Sequence, residues 1–225
     1  MFRDRADAGR QLAAALKAYA DVPGGLVVAL PRGGVVTGVE VSRGLRLPLD
    51  VFIVRKIGYP GNPECAMAAL TETGLLYRTE EGRGMNSVYP GYVEECRAEQ
   101  QLEIDRRVRL YRGGAPFPRL AERTVLLVDD GLATGATFEA AALALRELNP
   151  KRLIGAVPVA PAETAERVRA LVDELVVLET PEYFMAVGQV YADFRQVDDA
   201  HVLRFLKTVA GALAQENQGR GQTGG

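Results

Sequence analysis

Apolar residues follow two rhythms along this chain. Five short runs are almost wholly apolar: Leu26 to Leu30, Leu49 to Val54, Val125 to Val128, Leu153 to Val159 and Leu175 to Leu178. Runs of this length and β-branched content predict strands buried on both faces, as in a parallel sheet. Between them the period lengthens to that of a helix. Arg5 to Tyr19 places Ala8, Leu12, Ala15, Leu16 and Tyr19 on one face, Val35 to about Arg43 follows the first run, and Phe138 to Leu148 ends at Asn149-Pro150. Glu163 to Leu171 is a further helix, and Asp198-Asp199 caps a last one with Val202, Leu206, Val209 and Leu213 inward. Strand and helix thus alternate, which predicts an α/β, doubly wound parallel five-stranded sheet with right-handed crossovers. In the order 2-1-3-4-5, the reversal falls between the run ending at Leu30 and the run ending at Asp129. Open sheets of this kind bind ligands at such a reversal.

The alternation is interrupted once. Ala66 to Leu70 and Leu75 to Tyr77 flank Thr71-Glu72-Thr73-Gly74 as a β-hairpin would, while Tyr59 to Pro63 reads as a mobile, turn-rich loop. Glu80 to Asn86 is glycine-rich and flexible by composition, and Tyr92 to Tyr111 is a charged helix with a thin stripe at Val93, Cys96, Ile104, Val108 and Tyr111. The resulting expectation is one domain over 1–213 with a hairpin-plus-helix insertion at about 66–120. A small aperiodic hood follows at about 181–197, and a disordered tail at 214–225.

Composition removes several classes. A net charge of −2 gives no general attraction to nucleic acid or an anionic membrane. No apolar run reaches membrane-spanning length and Met1-Phe2-Arg3-Asp4 opens no signal peptide, so a cytoplasmic protein is expected. Cys65 and Cys96 form no paired framework, and two cysteines with the single His201 argue against structural zinc.

Two strand ends carry chemistry. Thr124 to Val128 stops at Asp129-Asp130, and Gly131-Leu132-Ala133-Thr134-Gly135-Ala136-Thr137 leads into the next helix. Small residues let backbone N–H groups converge on an anion, two threonine hydroxyls can add donors, and the helix dipole points at the same place. Carboxylates accept hydrogen bonds from sugar hydroxyls and help hold hydrated Mg²⁺. The alternative is a plain βα turn with its acidic residues in solvent. At the other strand end, Pro31-Arg32-Gly33-Gly34 joins Leu30 to a helix, with Arg32 as a charged donor and two glycines that permit close approach. Here too a simple turn is the alternative. No GxxxxGK[ST] or GxGxxG occurs at a strand end.

Val125 to Thr137 resembles the signature of the type I phosphoribosyltransferases, which bind 5-phosphoribosyl-1-pyrophosphate (PRPP). The resemblance implies Mg²⁺-dependent transfer of the phosphoribosyl group to a nitrogenous base or other nitrogen acceptor with release of pyrophosphate. It implies that Asp129 and Asp130 contact the ribose hydroxyls and meet Mg²⁺ through water or ribose, and that Ala133, Thr134, Gly135, Ala136 and Thr137 wrap the 5′-phosphate. Arg32, Gly33 and Gly34 would bind the pyrophosphate, in a loop that often carries a strained peptide bond, so a non-proline cis bond is expected there. Arg55 and Lys56, at the end of the second run, match a pair that contacts pyrophosphate in several branches; two solvated loop cations are the alternative. Asp129, Asp130, Arg32 and Lys56 are the candidate catalytic residues.

The insertion lies where relatives place a loop that closes over PRPP. Its Arg106, Arg107, Arg109 and Arg112 either approach the phosphates or form a solvated ion-pair face. Phe184, Val187 and Tyr191 in the hood are candidate acceptor contacts, or aromatics covering the sheet end. Relatives acting on 6-oxopurines commonly have an aspartate where this chain has Ala133, which disfavours those acceptors. A non-catalytic PRPP- or nucleotide-sensing regulator on the same fold is the alternative function, although no basic nucleic-acid surface accompanies it. Expected partners are PRPP and a small acceptor, with a homodimer allowed.

Overall fold

The five apolar runs come together as one sheet. A computed structural model describes residues 1–84 and 88–209 of the 225. In it, β1 (Leu26–Ala29), β2 (Leu49–Val51), β6 (Thr124–Val128), β7 (Arg152–Val159) and β8 (Glu174–Glu179) form an all-parallel sheet in the order β2-β1-β6-β7-β8. That is the doubly wound order expected from the sequence, with the reversal between β1 and β6. Alternate side chains explain why both faces must be covered. Val27, Leu126, Val128 and Ile154 meet α1 (Arg5–Ala15) and α2 (Gly33–Leu45) through Leu12, Leu16, Val41 and Leu45. Val28, Val125, Leu127 and Val157 pack on the other side, against Phe138, Ala141 and Leu145 of α5 (Ala136–Glu147) and Val168 of α6 (Ala162–Arg169). On α1 the inward position is Ala13 and not Ala15, which is exposed, and a 3₁₀ turn follows at Lys17–Tyr19.

A second sheet, antiparallel β3-β4-β5, is made by Val54–Tyr59, Asn62–Thr71 and Leu76–Arg78. The run Leu49 to Val54 therefore splits. Phe52 donates its N–H to Ala29 and packs edge-on to Phe117, Ile53 donates to Glu72 Oε1 at 2.8 Å, and the chain then leaves the main sheet. The turn-rich stretch Tyr59 to Pro63 forms the tip of a hairpin, with Tyr59 opposite Asn62 and Gly61 at φ 78°. Pro-Gly suits that turn because proline fixes the first bend and glycine tolerates the positive φ. Glu80 to Gly84 is helical (α3), started by Thr79 Oγ1, which accepts the Gly82 N–H at 2.9 Å. The rest of the segment expected to be flexible, together with Leu213 and the tail at 214–225, lies outside the described residues.

The long helix α4 (Tyr92–Arg112) buries Val93, Ile104, Arg107 and Tyr111. A final helix, α7, over 199–209, buries Val202 and Val209 against the cluster containing Val35, Val39 and Ile104. Arg112 ties α4 to the main sheet, donating to the Val51 carbonyl at 2.8 Å and pairing with the almost fully buried Glu72. Among the described residues, no helix is long and apolar enough to cross a membrane.

Candidate functional site: a crevice between two strand ends

At the reversal, β1 and β6 run side by side with Ala29 opposite Val128, and Leu30 donates its N–H to the Val128 carbonyl at 3.0 Å. Each strand then feeds a helix whose first turn has no side-chain cap: α2 after Arg32, and α5 after Gly135. Uncapped first turns leave backbone N–H groups and the positive dipole end for an anion. Gly135 has φ 85°, and its carbonyl accepts the Glu139 N–H at 2.9 Å to start α5. The Pro31–Arg32 peptide is cis. Gly33 and Gly34 lie directly on the acidic pair: a Cβ at Gly34 would stand 2.7 Å from Asp129 Oδ1 and 2.9 Å from its Cα, and one at Gly33 would collide with the Asp130 carboxylate. Only glycine lets the two loops approach this closely.

The two carboxylates are not equivalent. Asp129 Oδ1 accepts the Asp130 N–H at 2.8 Å. Burial, and then the charge of Asp130, push its carboxyl well above the usual range. Asp130 is paired with Arg5 of α1, Nε to Oδ2 at 2.5 Å, and its carbonyl accepts the Tyr191 hydroxyl at 2.5 Å.

A cavity of about 450 Å³ is lined by Pro31, Arg55, Lys56, Tyr59, Arg107 and Thr137, among others. It brings the first loop, the Arg55-Lys56 pair and the start of α5 to one space. The pair stands on β3 rather than in a loop. Arg55 Nε donates to Gln100 at 3.0 Å, and burial followed by the nearby Arg107 charge lowers its pKa. Thr134 lines an adjoining cavity of about 710 Å³ with Tyr77, Glu139 and Arg167, and Tyr59 lines both. Buried Glu139 accepts the Tyr77 hydroxyl at 2.6 Å and Arg167 Nε at 3.0 Å. Arg167 also donates to the Thr134 carbonyl at 2.7 Å, and Thr164 to that of Ala133 at 3.0 Å. Holding the loop carbonyls on α6 leaves the amide edge for a ligand.

Arg32 turns toward α7, where its Nη1 lies 3.9 Å from Asp199. Burial opposes the ionisation of Asp199, but hydrogen bonds from Tyr111 and Arg106 outweigh it and hold this carboxyl below its ordinary value. Arg106 is taken by Glu103 and Asp199, Arg107 by Glu103, and Arg112 by Glu72, so these three insertion arginines have acidic partners. In the hood, Val187 covers Gly131, and Phe184 packs on a cluster of Phe2, Val159 and Tyr191. Tyr191 has Phe2 and Phe194 as ring neighbours at 5.5 and 4.9 Å. Sequence reasoning missed Arg5, Asp199 and the Tyr77–Glu139–Arg167 set. Their partners lie too far along the chain for any local pattern to signal them.

Two uncapped helix starts beside paired carboxylates, at the switch point of a parallel sheet, define the candidate ligand crevice of a doubly wound α/β protein. The family model described as the phosphoribosyl transferase domain matches residues 4–195, and the chain belongs to that family. Proteins from two strains of Mycobacterium tuberculosis, whose names carry the words phosphoribosyl transferase as an assignment rather than a demonstrated activity, are each 39% identical over 206 residues. The match takes in 92% of this chain and 46% of theirs, so the chain spans about half the length of these curated relatives. The crystal structure of TT1426 from Thermus thermophilus is similar with a TM-score of 0.75 and 42% identity, covering 91% of this chain and 97% of that one. The five-stranded order is that of the type I phosphoribosyltransferase fold.

The Mg²⁺ that the resemblance implies would meet Asp129 and Asp130 through water or ribose. Among the described residues no group of three or more His, Cys, Asp or Glu side chains could hold a metal ion. Of the two carboxylates in the crevice, one is pushed toward its neutral form and the other is paired with Arg5.

Proposed function

We propose that this chain binds PRPP, carried as its magnesium complex, and transfers the phosphoribosyl group to a nitrogen acceptor with release of pyrophosphate. The observation that supports this best is the pair of uncapped helix starts, α2 and α5, on either side of Asp129 and Asp130. Such an arrangement suits a ligand with phosphate groups at two ends and a diol between them. The amides of Ala133 to Thr137 and the Thr134 and Thr137 hydroxyls would hold the 5′-phosphate. Asp129 and Asp130 would accept from the ribose hydroxyls and, through ribose or water, face the substrate's magnesium ion.

Departure of pyrophosphate leaves positive charge on C1 and the ring oxygen of the sugar. The protein's task is then to stabilise the leaving anion and position the nucleophile. Arg32, the amides of Gly33 and Gly34, and Arg55 with Lys56 would take the leaving-group charge. Phe184, Val187 and Tyr191 belong to the hood that would border the acceptor, while Ala133 leaves no carboxylate there for a 6-oxopurine nitrogen. We infer an acceptor of another kind. Pyrophosphate release measured with PRPP, Mg²⁺ and a panel of bases and other amines tests the reading, which expects release with at least one acceptor. Binding of PRPP without release across the panel would favour the sensor function instead, and no binding would reject both.

A further inference from the structure

One side chain of the first helix reaches into the crevice. Arg5 is 125 positions before Asp130, yet its Nε donates to Asp130 Oδ2 at 2.5 Å. Its Nη1 donates to the Arg195 carbonyl at 2.8 Å, and its guanidinium carbon lies 3.6 Å from the centre of the Phe194 ring. A Cβ at Gly33 would stand 2.9 Å from the same Nε. One cation thus touches the acidic pair, the glycine loop and the hood. Exposure of the two side chains is 11% for Arg5 and 15% for Asp130, so water screens the pair far less than a surface salt bridge.

Two adjacent carboxylates at one strand end repel each other. A fixed cation offsets that repulsion at Asp130. The stacked ring and the second hydrogen bond restrict the guanidinium, and through it the carboxylate rotamer. We propose that Arg5 is a positioning residue that holds the Asp130 carboxylate aimed for the ribose, making the N-terminal helix part of the ligand site. This rests on the ribose role proposed above for Asp130. A different role would make Arg5 a plug that the sugar must displace, and the two roles predict opposite effects.

The test is calorimetric titration of magnesium-PRPP into the wild type, Arg5→Met, Arg5→Lys, Asp130→Asn and the Arg5→Met/Asp130→Asn double variant. Loss of a hydrogen bond to a charged group predicts that Arg5→Met binds roughly ten-fold or more weakly. Arg5→Lys should recover part of the loss. The double variant should bind no more weakly than Asp130→Asn alone, because an arginine acting through Asp130 then has nothing to position. In turnover, the loss should fall on the KM for PRPP and spare the KM for the acceptor. Equal or tighter binding by Arg5→Met, or additive losses in the double variant, would overturn the proposal. Should Arg5→Met not fold, Phe194→Leu removes the stacked ring while keeping both charges and should raise the KM for PRPP alone; an unchanged KM would overturn the proposal equally. Absence of PRPP binding by the wild type would remove the crevice reading as well. Wild-type binding that Arg5→Met leaves unaltered would remove this one only.

Discussion

Asp129 and Asp130 are neighbours in sequence with different physical tasks. Asp129 is held against Gly34 and pushed toward protonation, first by burial and then by Asp130. A carboxyl whose pKa rises on folding contributes most while protonated, and stability falls as pH rises from the ordinary carboxylate value through the raised one. Asp129→Asn keeps an oxygen for the Asp130 N–H and removes the charge. It should raise the melting temperature at pH 7 by at least a few degrees, about 2–4 °C per kcal/mol for a chain of this size, while weakening PRPP binding. The gain should vanish toward about pH 4, where the unfolded carboxyl also protonates. Melting curves across that range check this, and a lower melting temperature at pH 7 would contradict it. The pair itself was legible in the sequence as an acidic stop after an apolar run. Its asymmetry was not, because it comes from Gly34 and Arg5, which approach only through the fold.

Elements that alternate regularly were the easiest to read. The strands at Val125, Leu153 and Leu175 and the helices that follow β1, β6 and β7 lie close to where periodicity placed them, since each must bury two faces or one stripe. The insertion was harder. Leu49 to Val54 looked like one strand because its apolar run is continuous from Val51, yet the Phe52–Phe117 contact and the Ile53–Glu72 hydrogen bond break it into β2 and β3. That transition is secured by Arg112, whose side chain joins Val51, Asp50 and Glu72 from α4. Removing one partner of a buried pair leaves a desolvated charge. Arg112→Met should therefore cost about 3–5 kcal/mol of stability, read by urea unfolding. A cost within error of zero would mean that the insertion is not anchored there.

At the scale of the whole molecule, the reversal between β1 and β6 sets two helix starts on either side of one acidic strand end. Strand count and connection pattern made the doubly wound sheet legible, the family resemblance supplied the order that places the reversal, and the contribution of the termini was not legible. Arg5 reaches Asp130 from the first helix, and Asp199 reaches Arg32 from the last, so segments at both ends of the family match or beyond it meet the two candidate ligand loops. The most direct measurement is calorimetric titration of magnesium-PRPP into the chain, repeated in the presence of ribose 5-phosphate, of pyrophosphate, and of both. The account predicts saturable one-to-one binding that each fragment weakens by itself, with the two fragments able to bind together because they occupy opposite ends of one crevice. Saturable binding that neither fragment affects, or no binding, would contradict it.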